Sequence, residues 1–235
     1  MIGGTGVGTL LAAEGGKVVH IPTRYGTARG RAVEIAGRSA ILLSRHSTGH
    51  SVPPHRVNYP AIALAMKQIG VKYCLATAAT GSLTSSRPVG SLVACTDFID
   101  LSSRNVTLFD REVVHTPFGQ AFGKEAHAAL VAGAAKSGVN IVPSGVYIGV
   151  NGPRFETPHE VRMLARIADV VGMTAATEAI MMKEAGVEYG LLAIVTNLAE
   201  GLGGMVDHDL VGTVMVDWGP KAVAILKAAV EALPH

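Results

Sequence analysis

Short apolar runs alternating with stretches of helical periodicity constrain this chain more than any other feature. Ala40–Ser44, Tyr73–Ala79, Ser91–Thr96, Ile141–Gly149, Val170–Met173 and Tyr189–Thr196 have the length and residue types of buried strands. Between or after them, Arg56–Ile69, Lys124–Lys136 and Asp217–Ala232 read as helices. In the first of these, Val57, Ala61, Leu64 and Ala65 form one apolar stripe, and Ile62, Met66 and Ile69 form a second, so both sides are expected to be covered. Two helix starts are explicit. Thr157–Glu160 spells a capping box with proline at the first helical position. A second helix opens near Thr174 and stops at Gly186. Strands that alternate with helices predict one three-layer α/β domain over residues 1–235, with no linker and no repeat.

A chain of 235 residues that is 49% hydrophobic and 16% charged can build a deep core and is not disordered. So much apolar surface suggests that some of it is buried between subunits. A net charge of +2 without a Lys/Arg run argues against nucleic acid as a partner. No apolar run reaches the roughly 20 residues that span a bilayer, and no signal peptide is seen, so a cytoplasmic protein is expected. Cys74 and Cys95 lie in apolar runs and are expected to be buried, reduced thiols.

The chain opens with "MIGGTGVG", a glycine-rich turn after a strand so short that the usual start would lie a few residues upstream. It is not a dinucleotide fingerprint. Thr9 stands where the third glycine belongs, and no carboxylate lies near position 25. It is not a triphosphate loop, because no Gly-Lys-Ser/Thr follows. What remains is a tight turn with backbone N–H groups and the Thr5 hydroxyl, which suits one small anion and equally a plain structural turn.

Five further segments have similar character. "SRHSTGH" puts Arg45 and His46 after an apolar strand, where open α/β sheets bind ligands, and arginine offers a fork of donors to an anion. "ATAATGSL" places the small residues Ala78, Ala79 and Gly81 after the next strand, where a ligand can approach backbone amides. "GMTAATE" puts Thr174 at a helix start, either as a simple cap or as an anion donor together with the free N–H groups of the first turn. "NGPRFET" and "VTNLAEG" add Phe155, Glu156 and Asn197. An aromatic face, a carboxylate, an amide and several anion donors are thereby expected at one edge of one sheet.

These residues, with "RHSTGHSVPPHRVNYPAIALAMKQIGV", "FIDLSSRNVTLFD" and "NGPRFETPHEVRMLARIADVVGMT", resemble the trimeric purine nucleoside phosphorylase / methylthioadenosine phosphorylase family over nearly the whole chain. The resemblance implies a mixed, partly barrel-like central sheet and a trimer, or a hexamer of two trimers. It implies phosphorolysis of a purine nucleoside to free base and pentose 1-phosphate, with inorganic phosphate as co-substrate and no metal or organic cofactor. Carried onto this chain, it implies a phosphate site of Thr5, Arg45, His46, the Ala79 backbone N–H and Thr174. Met173 would lie under the sugar, Phe155 on the purine face, and Glu156 and Asn197 on the purine edge. His115 would reach a neighbouring subunit's site near the 5′ end of the sugar, and His208 would line that end within its own chain. Asn197, Arg45 and His46 would carry the catalysis.

Relatives that prefer adenosine carry Ser at the position of Glu156 and Asp at those of Asn197 and Ala199, so the resemblance favours a 6-oxopurine here. Hydrogen-bond complementarity agrees. An ionised Glu156 accepts from N1–H, whereas adenine would set a lone pair against it. The alternatives are a phosphorylase for 5′-methylthioinosine or, less suited, methylthioadenosine, and a nucleoside-binding protein without turnover. Two departures matter: Ala78 stands where relatives have Thr or Asn, and the short first strand could misplace Thr5. On this reading Arg45→Ala should mainly raise the phosphate requirement.

Overall fold

The computed structural model describes residues 1–47, 51–203 and 208–234, with residues 208–210 described by their backbone. Among the described residues ten strands form one mixed sheet: β1 (Ile2–Gly3), β2 (Lys17–Thr23), β3 (Gly26–Ile35), β4 (Arg38–Ser44), β5 (Tyr73–Ser82), β6 (Leu92–Ala94), β7 (Asp97–Asp100), β8 (Val146–Gly149), β9 (Val170–Gly172) and β10 (Glu188–Leu198). The helices are α1 (Val7–Ala13), α2 (Tyr59–Gln68), α3 (Lys124–Lys136), α4 (Pro158–Leu164), α5 (Ala175–Ala185) and α6 (His208–Ala232).

The sheet runs β2-β3-β4-β1-β5-β9-β8-β7, and β10 lies beside β5 and carries β6. It branches at β5, which pairs with β1, β9 and β10, and it does not close. β1, β4, β5 and β10 run parallel, so their carboxyl ends share one edge. β9 is antiparallel to β5, pairing Gly81 with Val171, and brings its end in from the other direction.

Side-chain alternation on the two long central strands separates the layers. Cys74, Ala76, Ala78, Tyr189, Leu191, Ala193 and Val195 face a core shared with α2 and α5. Leu75, Leu192 and Ile194 face the other core, shared with α1, α3 and α6. This is the expected three-layer arrangement. Both cysteines are free and buried, and burial pushes each thiol up to about 12. No helix among the described residues is long and apolar enough to cross a membrane.

Several boundaries differ from expectation. α2 begins at Tyr59 because Pro54–Arg56 forms a separate 3₁₀ turn and Asn58 caps the helix, its side chain accepting from the Ala61 N–H. Ile69 is 44% exposed, so the second stripe of α2 is covered only as far as Met66. The strand expected over Ile141–Gly149 is confined to β8, with Val142 making an isolated bridge to Val93. The last helix starts at His208 rather than Asp217 and runs through Pro220.

Candidate functional site

The shared edge opens into a cavity of about 470 Å³, within the size range of small-molecule sites. Nine expected site residues line it: Thr5, Arg45, His46, Ala79, Phe155, Glu156, Met173, Thr174 and Asn197. His115 does not. It lies exposed on the long connection between β7 and α3, near Val113, which is 87% exposed. The His208 side chain lies outside the described residues. Ser51, Pro53, Pro54, Pro153 and Val211 complete parts of the wall.

The opening turn owes its shape to missing side chains. A Cβ on Gly4 would stand 2.9 Å from both Arg45 Nη1 and the Thr77 carbonyl oxygen, so only glycine lets the turn lie against the guanidinium. The Gly4 N–H donates to Thr77 Oγ1 at 3.2 Å. Gly6 has a φ of +73°, and a Cβ there would meet Met215 at 2.7 Å. β1, although two residues long, is paired on both sides, and Thr5 reaches the cavity.

Arg45 is not an open fork. Its Nε donates to Glu178 Oε2 at 2.7 Å, Nη2 to Glu178 Oε1 at 2.5 Å and Nη1 to the Thr77 carbonyl at 2.8 Å. Three of the five N–H groups of the guanidinium are thereby committed, and two are left over. The Arg45 and Glu178 side chains are 0% and 1% exposed. Burial alone would lower the Arg45 pKa, but the Glu178 carboxylate outweighs it and holds the cation firmly. Tyr189 Oη also donates to Glu178 Oε1, at 2.8 Å. His46 is buried, with Nδ1 2.8 Å from the Val52 carbonyl oxygen.

Thr174 corrects another expectation. It precedes α5 but makes no side-chain cap, and the N–H groups of Thr174 and Ala175 are not open to an anion. Both donate, at 3.2 Å, to the hydroxyl of Tyr147, whose pKa burial pushes up to about 12. What Thr174 presents to the cavity is its side chain. Arg104 braces the same turn: Nη2 donates to the Met173 carbonyl at 2.7 Å and Nε to Thr177 Oγ1 at 3.0 Å.

At the opposite side, β10 slips register against β5 between Val195 and Asn197, leaving Thr196 as the extra residue. Such a bulge re-aims the following side chain. The Asn197 amide is oriented by its neighbours, Nδ2 donating to the Leu198 carbonyl at 3.0 Å and Oδ1 accepting from Thr196 Oγ1 at 3.0 Å. One amide hydrogen and one lone pair remain for a ligand.

Phe155 and Glu156 lie immediately before the capped start of α4. The box is complete: Thr157 Oγ1 accepts from the Glu160 N–H at 3.2 Å, and Glu160 Oε2 accepts from the Thr157 N–H at 2.7 Å. Arg154 closes on Glu160 with two further bonds. The Glu156 carboxyl is half-buried, and desolvation, joined by repulsion from Glu160 and Glu200, raises its pKa.

Glu178, Tyr147 and Thr77 were missed in the sequence. Glu178 left the clearest signal, the one charged side chain in the Ala175–Met182 stretch of a helix buried on most sides. Tyr147 and Thr77 sit inside strands and look like ordinary core positions.

The sequence pattern of the phosphorylase superfamily matches residues 2–231. A probable S-methyl-5′-thioinosine phosphorylase of Methanopyrus kandleri is 35% identical over 238 residues, covering 100% of this chain and 92% of the relative. The 6-oxopurine nucleoside phosphorylase of Pyrococcus furiosus is 34% identical over 245 residues, covering 100% and 92%. Among solved structures, the methylthioadenosine phosphorylase of Schistosoma mansoni in complex with adenine superposes with a TM-score of 0.91 at 27% identity, covering 98% of this chain and 89% of that one. Pattern, full-length similarity and fold agree, and the chain belongs to the phosphorylase superfamily.

Proposed function

We propose that this enzyme cleaves the glycosidic bond of 6-oxopurine nucleosides such as inosine and guanosine with inorganic phosphate, releasing the base and a pentose 1-phosphate in purine salvage. The observation that carries the reading is one cavity lined by Glu156 and Asn197 and also by Thr5, Arg45, His46 and Thr174. The first pair suits the edge of an oxopurine, and the second group suits a small anion.

Phosphate sits beneath the sugar, where the two remaining Arg45 N–H groups, the His46 ring, the Thr5 and Thr174 hydroxyls and the Ala79 N–H orient it. As the C1′–N9 bond breaks, its electron pair leaves with the purine, and a phosphate oxygen forms the new bond to C1′. Holding the two reactants in line is worth roughly 7 kcal/mol or more of the barrier. As negative charge builds on the purine, N7 takes a proton from solvent water and donates it to Asn197 Oδ1, while the bond from Nδ2 to O6 strengthens with the charge on the oxygen. Glu156 accepts from N1–H, Phe155 packs on the ring, and Met173 lies under the sugar. The reaction needs no metal and no organic cofactor.

One observation favours a second reading, in which the substrate is 5′-methylthioinosine: the apolar Val211 is part of the cavity wall, and several relatives bear that activity in their names. Purine release from inosine, guanosine, methylthioinosine and methylthioadenosine, each with and without phosphate, separates the cases. Release from a 6-oxo substrate only with phosphate is expected. Preference for methylthioadenosine would overturn the Glu156/Asn197 argument, and release without phosphate would make the enzyme a hydrolase.

The working assembly in this reading is a cytoplasmic homotrimer or a pair of trimers. The exposed segment around His115 and Val113 would lie against a neighbouring chain, with His208 at the 5′ end of the sugar.

A further inference from the structure

We propose that Glu178 is a positioning residue for the anion end of the cavity, holding the Arg45 guanidinium in fixed relation to Thr174. The inference rests on the phosphorolysis reading and assigns a role to a residue outside the cavity wall.

The connections run in three directions. Both carboxylate oxygens of Glu178 take the same edge of Arg45, at 2.7 and 2.5 Å. Tyr189 Oη, from β10, adds a third donor at 2.8 Å and keeps the carboxylate from turning. Glu178 lies in the first turn of α5, and its own N–H donates to the Thr174 carbonyl at 3.1 Å. One side chain therefore ties the end of β4, the start of α5 and the start of β10 to a common point.

The chemistry of the pair explains why that point matters. Arginine has a long, rotamer-rich side chain, and its value to an anion lies in where the planar fork is aimed. Glu178 fixes that aim. It also matches the charge of Arg45, so the pair contributes direction rather than net positive charge. Reaction within a ternary complex depends on alignment, and tighter holding of the ground state alone does not speed it. Replacing the carboxylate by an amide sets an N–H donor against Arg45 and turns the fork away.

The test compares Glu178→Gln and Tyr189→Phe with the unaltered enzyme. Readouts are KM for phosphate, KM for inosine at saturating phosphate, and the rise in melting temperature produced by inorganic phosphate alone. Glu178→Gln should raise the phosphate KM at least tenfold, keep the inosine KM within about twofold, and largely lose the phosphate-induced rise. Tyr189→Phe keeps the ion pair and its ring against Phe122, with centroids 5.9 Å apart; its phosphate KM should rise two- to fivefold. This second variant decides the matter if the first does not fold. An unchanged phosphate KM in Tyr189→Phe, or an inosine KM that rises in step with that for phosphate, overturns the proposal. Failure of the unaltered enzyme to release purine in a phosphate-dependent manner overturns the parent reading instead, and this one with it.

Discussion

Arg45 belongs at once to a buried ion pair and to the cavity wall. Sequence alone suggests a donor fork whose loss costs phosphate affinity. Its pairing with buried Glu178 adds a second cost, since removing one partner of a buried ion pair leaves the other uncompensated, typically at about 3–5 kcal/mol. Arg45→Ala should therefore lower unfolding free energy by that order in urea titrations, in addition to any kinetic effect; a loss below about 1 kcal/mol would contradict the pairing. Glu156 makes the opposite compromise. Burial raises its folded pKa above the ordinary 4.5, so the folded state holds this proton more tightly than the unfolded chain does. The sign follows directly: ionisation of Glu156 costs stability above its folded pKa, and that cost is relieved as pH falls toward the unfolded value. On the proposed reading binding runs the other way, because the ionised carboxylate is the stronger acceptor for N1–H. The inosine KM should rise as pH falls, with a midpoint above 4.5, and Glu156→Gln should flatten that limb in a pH series. Most cavity residues were legible from their places after strands. Tyr147 was not, because a tyrosine inside a strand gives no hint that its hydroxyl will occupy the first N–H groups of α5.

At the scale of elements, α4 is short and owes its start to Thr157 and Glu160. The Glu160 carboxyl is held down to about 2 by its bonds to Arg154 and the Thr157 N–H, with burial opposing weakly. Its share of the cap is thus present above the ordinary carboxylate range and lost only as pH falls through about 2. Because Phe155 and Glu156 immediately precede this cap, Thr157→Ala should cost about 1 kcal/mol in a thermal or chemical melt. It should also raise the inosine KM several-fold while the phosphate KM stays constant; equal effects on both would show that the cap does not set the base end separately. This capping box was readable from four letters. The hairpin of β2 and β3 was not anticipated, because strands carrying His20, Arg29, Arg31 and Glu34 at largely solvent-facing positions lack a continuous apolar run. The bulge at Thr196 was equally hidden, since a register slip depends on both strands while the sequence of β10 reads as uninterrupted.

For the whole molecule, alternation of strands and helices led to the right layers and to the right cavity edge, but not to the way the sheet divides. That division depends on β9 turning antiparallel at the end of β5, a tertiary choice that no periodicity within a three-residue strand can encode. It has a mechanical implication. β5 is bordered by neighbours along most of its length, faces both cores, and lines the cavity through Ala78, Ala79, Thr80 and Gly81. The keel of the protein is thus also a wall of its cavity, and the surface it supplies there can be dismantled only by taking the vessel apart.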